Sequence, residues 1–374
     1  MKGHLGKSFS WPIILAFRFA RQHLSRAASG NLVEVCGNVC GIQAQLTSAA
    51  EIALWARVRG LRRIQIEAAL WKDRSLVKSS FMRQTIHWIP ASDFSLYTAA
   101  LRTRNREAFF RIMSRFGLTA RDYDSFNESV LNALRSGPLT KTVLTQRIYQ
   151  QAGKRLQAWM KRIWNPFKPA LAEGLICYSS ERGNEVCFVR AGDWLPKQKK
   201  VAEIEARQIL LRRYLRSYGP ATRHDFSKWS GLSMKEAQIV WDSLQDEFQE
   251  ISVAGEQAAI LRKDIAELRD ARPATLTLRL LPSFDPYLLA HAEKIHLVDT
   301  RHYKRVYHPA AWISPVVLRD GRAIGVWSIS RGASHACCAV EFFAKQPNTI
   351  RAEIAEEILS LERFLKISLK VSFT

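Results

Sequence analysis

The chain has 374 residues, 47% of them hydrophobic, and carries 56 lysines and arginines against 34 acidic residues, a formal net charge of +22. That is enough apolar material to bury substantial cores in two or three domains. So large a positive field points to polyanions, nucleic acid above all, held by a salt-sensitive affinity. No run approaches the roughly 18 apolar residues of a membrane span. The apolar segment Trp11 to Phe17 is followed at once by Arg18 and Arg21 with no small-x-small cleavage site, so no signal peptide is expected.

The positive charge is uneven. Residues 1 to 120 hold 18 basic and 6 acidic side chains, and most of the basic ones are arginine, whose planar fork suits phosphate. Six cysteines are present. Cys36-x-x-x-Cys40 has no matching distal Cys/His pair at zinc-site spacing, and Cys337-Cys338 reads as two small core residues, a usage that fits a reducing compartment. A cytoplasmic, nucleoid-associated location follows, with no membrane contact.

In chain order, a helical pattern runs from Ile14 to Leu24 and ends in the Ser/Gly-rich stretch Ser25 to Asn31. A second helix is expected to begin near Ser48, where Ser48-Ala-Ala-Glu51 reads as a capping box, and to stop at Gly60. A third spans about Ile64 to Trp71, and the β-rich segment Ser79 to Ile89, closed by Pro90, supplies an extended wing. The pattern recurs: Ser136-Gly-Pro-Leu-Thr140 leads into a helix over 141–151, a helix over 166–173 follows, and strands at Ile176 to Ser179 and Glu185 to Val189 flank the tight turn Glu181 to Asn184. A third copy starts at Tyr218-Gly-Pro-Ala-Thr222, with helices over 223–229 and 233–244 and strands at Phe248 to Val253 and Ala258 to Leu261. The two Gly-Pro-x-Thr segments, each before a short helix, indicate an internal repeat.

Beyond residue 270 the character changes. Strands are expected at Thr275 to Leu281, Ala311 to Leu318 and Ala323 to Ser330, with Asp320-Gly321 as a hairpin turn, then a final helix over 350–365. The predicted fold is therefore α+β and predominantly helical: tandem winged-helix, or helix-turn-helix, units over 1–120, 121–200 and 201–270, followed by a small α+β domain over 271–374.

These segments also carry a resemblance. Gly41-Ile-Gln-Ala-Gln45, Arg83-Gln-Thr-Ile-His87, Tyr218-Gly-Pro-Ala-Thr222, Trp229-Ser-Gly231, Leu281-Pro-Ser-Phe-Asp-Pro-Tyr-Leu-Leu289 and the segment Pro315 to Trp327 resemble, in order, the winged-helix DNA glycosylases of the AlkZ type, related to the YcaQ branch. The likeness spans about residues 14 to 365. It implies tandem winged helices around duplex DNA, and either removal of N7-alkylated purines or unhooking of interstrand cross-links. The signature Gln-x-Gln falls on Gln43 and Gln45, which the resemblance makes the catalytic pair. Two positions depart from the pattern: Val326 follows Gly325 where Thr is expected, and Gln84 stands beside Arg83 where Gly is common.

Two uncharged amides suit this chemistry. An N7-alkylated purine is already cationic, so its departure needs no general acid of the kind most glycosidases employ. What remains is to hold a water near C1′ and to face the developing oxocarbenium ion, which an amide oxygen can do. In an extended segment Gln43 and Gln45 would share a face and grip one water. On spacing alone, the two glutamines read as a polar turn before a helix, and it is the resemblance that makes them catalytic.

Arg83 is expected to contact phosphate. His87 is expected to touch DNA or support the water, or else to be a hydrogen-bonded, half-buried histidine. Arg104, Arg111 and Arg115 share a helical face that either tracks phosphates or is simply solvated, and the turn Arg319-Asp-Gly-Arg322 is narrow enough to enter a groove. Asp285 reads as an Asp-Pro turn rather than a catalytic acid. His291, His296, His302 and His308 lack metal-ligand spacing, so no metal and no cofactor is expected. No lysine stands out as a lyase nucleophile, and no obligate protein partner is implied. The alternative to a monofunctional glycosylase is a non-catalytic winged-helix DNA-binding protein or transcriptional regulator, though no dimerisation coil is evident.

Overall fold

The computed structural model describes residues 8–25, 31–183, 185–273, 277–331 and 336–374. Asn184 of the expected turn, most of the Ser25 to Asn31 stretch, and Thr275 and Leu276 of the expected strand lie outside the described residues. The chain divides into two compact units, one formed by Met1–Ile66 with Leu211–Thr374 and the other by Glu67–Leu210.

The first unit opens with β1 (Ser8–Phe9) and α1 (Trp11–Arg21), a helix that starts on Pro12 and buries Ile14, Leu15, Phe17 and Phe19. Next come α2 (Leu32–Asn38), capped by the Asn31 side chain, then β2 (Ile42–Gln43), α3 (Thr47–Trp55) and α4 (Arg63–Glu67). The capping box expected at Ser48 does not form. The N-cap is Leu46, two residues earlier, and its side chain provides no cap. Glu51 turns instead to Arg63, 3.0 Å away. The helix also ends before Gly60, at Trp55.

The second unit begins where α4 runs into a π-helical turn at Ala68–Lys72. It contains the antiparallel ribbon β3 (Leu76–Ser80) and β4 (Ile86–Pro90), then α5 (Phe94–Ser114), α6 (Ala120–Ala133), β5 (Leu139–Thr140), α7 (Lys141–Gln151), α8 (Lys154–Arg162) and α9 (Lys168–Ala172). The ribbon β6 (Ile176–Arg182) and β7 (Glu185–Arg190) follows, then α10 (Ala191–Trp194) and α11 (Glu203–Tyr218). β5 pairs with β7 and β7 with β6, giving a three-stranded sheet. Aromatic rings knit the helices to this sheet: Phe126 meets Trp159 edge-on at 5.3 Å, and Phe167 meets Phe188 at 5.3 Å.

Past Leu210 the chain returns to the first unit with α12 (Arg223–Ser230), α13 (Met234–Asp242), the ribbon β8 (Phe248–Val253) and β9 (Glu256–Leu261), and α14 (Ile265–Asp270). β1 adds to this ribbon in parallel with β8, so the amino-terminal strand is tied to residues 252 and 253. The remainder is β10 (Arg279–Leu281), α15 (Pro286–Leu289), α16 (Tyr303–Val306), β11 (Val316–Arg319), β12 (Arg322–Arg331), β13 (Ala336–Phe342), α17 (Asn348–Leu365) and β14 (Leu369–Phe373). Its five strands lie in the order β10-β11-β12-β13-β14, with the last pair parallel. The mixed architecture, helices with several small sheets, is that expected.

The internal repeat is physical. In both copies Gly-Pro-x-Thr places a residue against the second strand of the following ribbon: Leu139 pairs with Phe188, and Ala221 bridges Ala259. In both copies Thr then caps a helix, Thr140 accepting from the Val143 amide at 3.3 Å and Thr222 from the Asp225 amide at 3.1 Å. The repeats thus share the order extended residue, helix, helix, ribbon, with the extra short helix α9 before the ribbon of the earlier copy.

Candidate DNA glycosylase site

The segment bearing Gln43 and Gln45 is shaped by the turn before it. After α2, Cys40 (φ 57°) and Gly41 (φ 89°) both take left-handed conformations. The Gly41 amide closes the turn on the Cys36 carbonyl at 2.8 Å. The Tyr218 hydroxyl donates to the Val39 carbonyl at 2.6 Å and fixes the same turn from α11. Gln43, on β2, is buried; Gln45 is exposed in the bend leading into α3. The regular strand stops at Gln43, so the alternation that would set the two side chains on one face does not extend to Gln45. Residues 45 to 48 are all exposed, which places Gln45 beside the first turn of α3.

The other end of α3 is locked. Arg57 donates both terminal nitrogens to Asp285 at 2.7 Å, with both side chains fully buried, and one of them also reaches the Ala53 carbonyl at 2.8 Å. Asp285 caps α15 as well, accepting from the Tyr287 amide at 2.9 Å. The Asp-Pro turn is thus present, and it holds the helix that follows the glutamines. Within the same unit Arg18 donates to the Pro220 carbonyl, and His291 donates its Nε2–H to the Tyr218 carbonyl at 3.0 Å. Several of the recognisable segments are therefore framework. A Cβ on Gly325 would lie 2.6 Å from the Glu341 carbonyl oxygen, and the Trp327 indole donates to the Leu281 carbonyl at 3.0 Å.

In the second unit, Arg83 and Gln84 form the tip of the β3–β4 ribbon, both left-handed (φ 54° and 59°). This conformation explains why glycine suits position 84, and Gln84 holds it at a cost of about 1 kcal/mol. His87 is 2% exposed, and its Nδ1 lies 2.9 Å from the Thr85 carbonyl, which makes that nitrogen the donor. Burial, reinforced by the Arg83 charge, pulls the imidazole down to about 3, so it is neutral near pH 7 and keeps Nε2 as an acceptor. A neutral, buried ring is no phosphate contact, which leaves it the water-supporting or structural part of its expected role.

On α5, Arg111 and the residue just past its end, Arg115, are exposed, while Arg104 is half-buried. Arg102 and Arg106, from the same run, pair with the buried Glu173 at 2.8 and 2.7 Å and are committed to holding α9. The Asp320-Gly321 turn forms as expected but is seated against the first unit's core: a Cβ on Gly321 would lie 2.9 Å from Leu15, and the Tyr287 hydroxyl donates to the Gly321 carbonyl at 3.1 Å. Arg319 is bound to Glu353, and the exposed Arg322 donates to the Ile295 carbonyl at 3.3 Å. The turn itself is therefore held against the core, and of its two arginines Arg322 stays exposed.

The four carboxy-terminal histidines have separate tasks: His291 on Tyr218, His296 stacked on Trp11 at 4.7 Å, His302 on Phe343 at 4.5 Å, and His308 bonded to the Ser314 hydroxyl at 2.8 Å. Two features escaped the sequence reading. The Arg57–Asp285 lock left no local signal, its partners being 228 residues apart. The basic helix α8 did leave one, for the chain between Glu128 and Glu173 holds eight lysines and arginines and no acid.

Repeated helix-and-ribbon units in a strongly basic chain, with Gln43 and Gln45 just before a helix, describe a protein of the DNA-processing class. The profile of the family described as DNA glycosylase AlkZ-like matches residues 37–364. An interstrand DNA cross-link repair glycosylase of Streptomyces sahachiroi is 32% identical over 333 residues, 86% of this chain and 88% of that protein. The solved structure of Streptomyces sahachiroi DNA glycosylase AlkZ matches with a TM-score of 0.85 at 28% identity, covering 98% of this chain and 100% of that one. The chain belongs to the AlkZ-like DNA glycosylase family. Among the described residues, no helix is long and apolar enough to cross a membrane.

Proposed function

We propose that this glycosylase hydrolyses the N-glycosidic bond of N7-alkylated purines in duplex DNA, and that it unhooks interstrand cross-links made through such bases. The observation that carries the reading is the Gln43/Gln45 segment itself: one amide buried and one exposed, between a pinned turn and a helix locked at its far end by Arg57 and Asp285. The cationic base leaves without a proton, so the barrier lies in placing water at C1′ and in stabilising positive charge on the sugar. Gln45, exposed, is suited to meet the nucleotide and the water. Gln43, held inside, orients it. Neither amide changes charge near neutral pH, so the reaction selects substrates that are already good leaving groups.

Arg83 at its ribbon tip, with Arg104, Arg111 and Arg115, engages phosphates. The exposed Arg322 makes a further contact, and Arg319 acts through its bond to Glu353. No protein partner is required. The relative named as a cross-link repair glycosylase supports the bulkier substrate. The test is incubation with duplex DNA containing N7-methylguanine or an N7-linked cross-link, followed by alkaline cleavage. Wild type should excise. Gln43→Ala and Gln45→Ala should bind the same duplex and lose about 10²-fold or more in single-turnover rate. Full activity in Gln45→Ala would refute the assignment.

A further inference from the structure

The second unit contains a binding surface that the glutamine site does not use. Helix α8 follows α7 after a two-residue turn and is, like α13 in the next repeat, the second helix after the capping threonine, with the short helix α9 between it and the ribbon. This is the recognition-helix position of helix-turn-helix proteins. Its buried side is Trp159 and Met160, packed in the second unit's core. Its exposed residues are Lys154, Arg155, Ala158, Lys161 and Arg162, spaced i, i+1, i+4, i+7 and i+8, which makes one continuous face. Four are basic, and the one between them is alanine, short enough to let a backbone approach.

The rim continues the character. Trp164, just beyond the helix, is 87% exposed, and the Lys141 ammonium from the start of α7 sits 4.4 Å from its ring centre. Two acids come near and both are occupied: Asp122 caps α6 on Thr119, and Glu185 accepts from the Thr142 amide at 2.6 Å. Of the four basic residues on the face, Arg155 spends one nitrogen on the Gly117 carbonyl at 3.3 Å. Lys161, exposed along its length, has its ammonium 5.6 Å from the Tyr149 ring centre, and Lys154 and Arg162 extend into solvent.

We infer that this face is a second DNA contact, gripping the sugar-phosphate backbone of the duplex through Lys154, Lys161 and Arg162, with Trp164 covered on binding. A row of cations without acids fits a polyanion and repels a basic one, and the spacing along one helix fits the regular charges of a duplex strand. The inference rests on the glycosylase reading for the identity of its partner. It adds a surface that raises affinity for any duplex and leaves the chemical step alone.

The experiment compares the full-length protein with K154Q/K161Q/R162Q, and with R351Q/K366Q/K370Q, which removes three exposed cations from the first unit's carboxy-terminal region. Binding to an undamaged duplex is titrated against salt, and single-turnover excision is measured at saturating enzyme. The α8 variant should lose about tenfold or more in affinity, and its slope of log K against log salt should be shallower by about 2 to 3, near 0.9 per phosphate contact removed. Its saturated excision rate and its melting temperature should match wild type, and the control variant should keep the wild-type slope. Equal slopes in wild type and the α8 variant overturn the inference, as does an equal loss in the control, which would assign the effect to net charge alone. Wild type that neither binds nor excises overturns the glycosylase reading and this surface with it.

Discussion

Helices α8 and α13 stand at the same point of two repeats built alike, and their outer faces have opposite chemistry. α8 carries four basic residues and no acid. α13 exposes Met234, Lys235, Ile239 and Asp242, with Gln238 bonded to Asp242 along the helix. The third repeat spends its polar groups inward. Asp225 caps its own helix on Thr222 and also accepts from the Ala292 amide at 2.8 Å, and Ser230 bonds back to the Phe226 carbonyl at 2.7 Å. The second repeat keeps its cations in solvent. Topology decides which helix is presented, and the composition of one face decides to what. On this contrast the third repeat is a brace for the glutamine segment, and the second is a surface for a polyanion.

The sharpest test of the framework side of the contrast is the buried lock at the far end of α3. Arg57→Ala leaves Asp285 charged and fully buried without its partner, and should cost about 3–5 kcal/mol of stability, read by chemical denaturation. Neutralising Lys154, Lys161 and Arg162 should change stability by roughly 0.5 kcal/mol or less. Comparable losses in the two would erase the distinction between scaffold and surface.

Acid should separate the same regions more gently. His87 is held neutral down to about 3, and burial likewise pulls His291 and His296 well below the ordinary histidine value. An unfolded histidine takes its proton near 6.5 and these folded ones do not, so the unfolded state binds more protons between that value and the folded one. Stability contributed by each neutral ring is complete above about pH 6.5 and declines as the pH falls through this window. For His87 the loss between pH 7 and pH 5 is on the order of 2 kcal/mol. Denaturation midpoints at the two values should therefore diverge less in His87→Gln than in wild type, and an unchanged pH dependence would contradict the neutral, buried ring.

The smallest expected effect uses the repeat's own glycines. Gly219 has no room for a side chain, since a Cβ would lie 2.4 Å from the Leu215 carbonyl oxygen, so Gly219→Ala should cost about 1–3 kcal/mol. Gly137, its counterpart, meets nothing within 4 Å but sits at φ 119°, and Gly137→Ala should cost about 1 kcal/mol through backbone strain alone. Melting temperatures of the two variants rank them. The reverse order would mean that the α11 carbonyl yields.

Much of this molecule was legible before any coordinate. Strands and short helices announced themselves wherever a pattern and its boundary were both local: Gly-Pro-x-Thr sets a capping threonine before a helix, and Asp320-Gly321 sets a tight turn, because the chemistry lies within four residues. The DNA glycosylase family and the Gln43/Gln45 segment followed from ordered motifs in the same way. The helices α2, α6, α8 and α11 and the strands β13 and β14 were not expected, since their patterns are short, capped irregularly or rich in charge. What the linear pattern could not contain was partnership across the chain. Glu51 had the spacing of a capping box and went to Arg63, because the N-cap lies two residues early, at Leu46. Helical spacing set Arg104, Arg111 and Arg115 on one face, but nothing local said that Arg102 and Arg106 would be claimed by Glu173. Asp285 met Arg57, and the basic turn at Arg319 folded inward onto Leu15. Local hydrogen bonding and periodicity are written residue by residue, whereas the pairing of a buried charge and the direction a hairpin faces depend on which distant segment packs beside it.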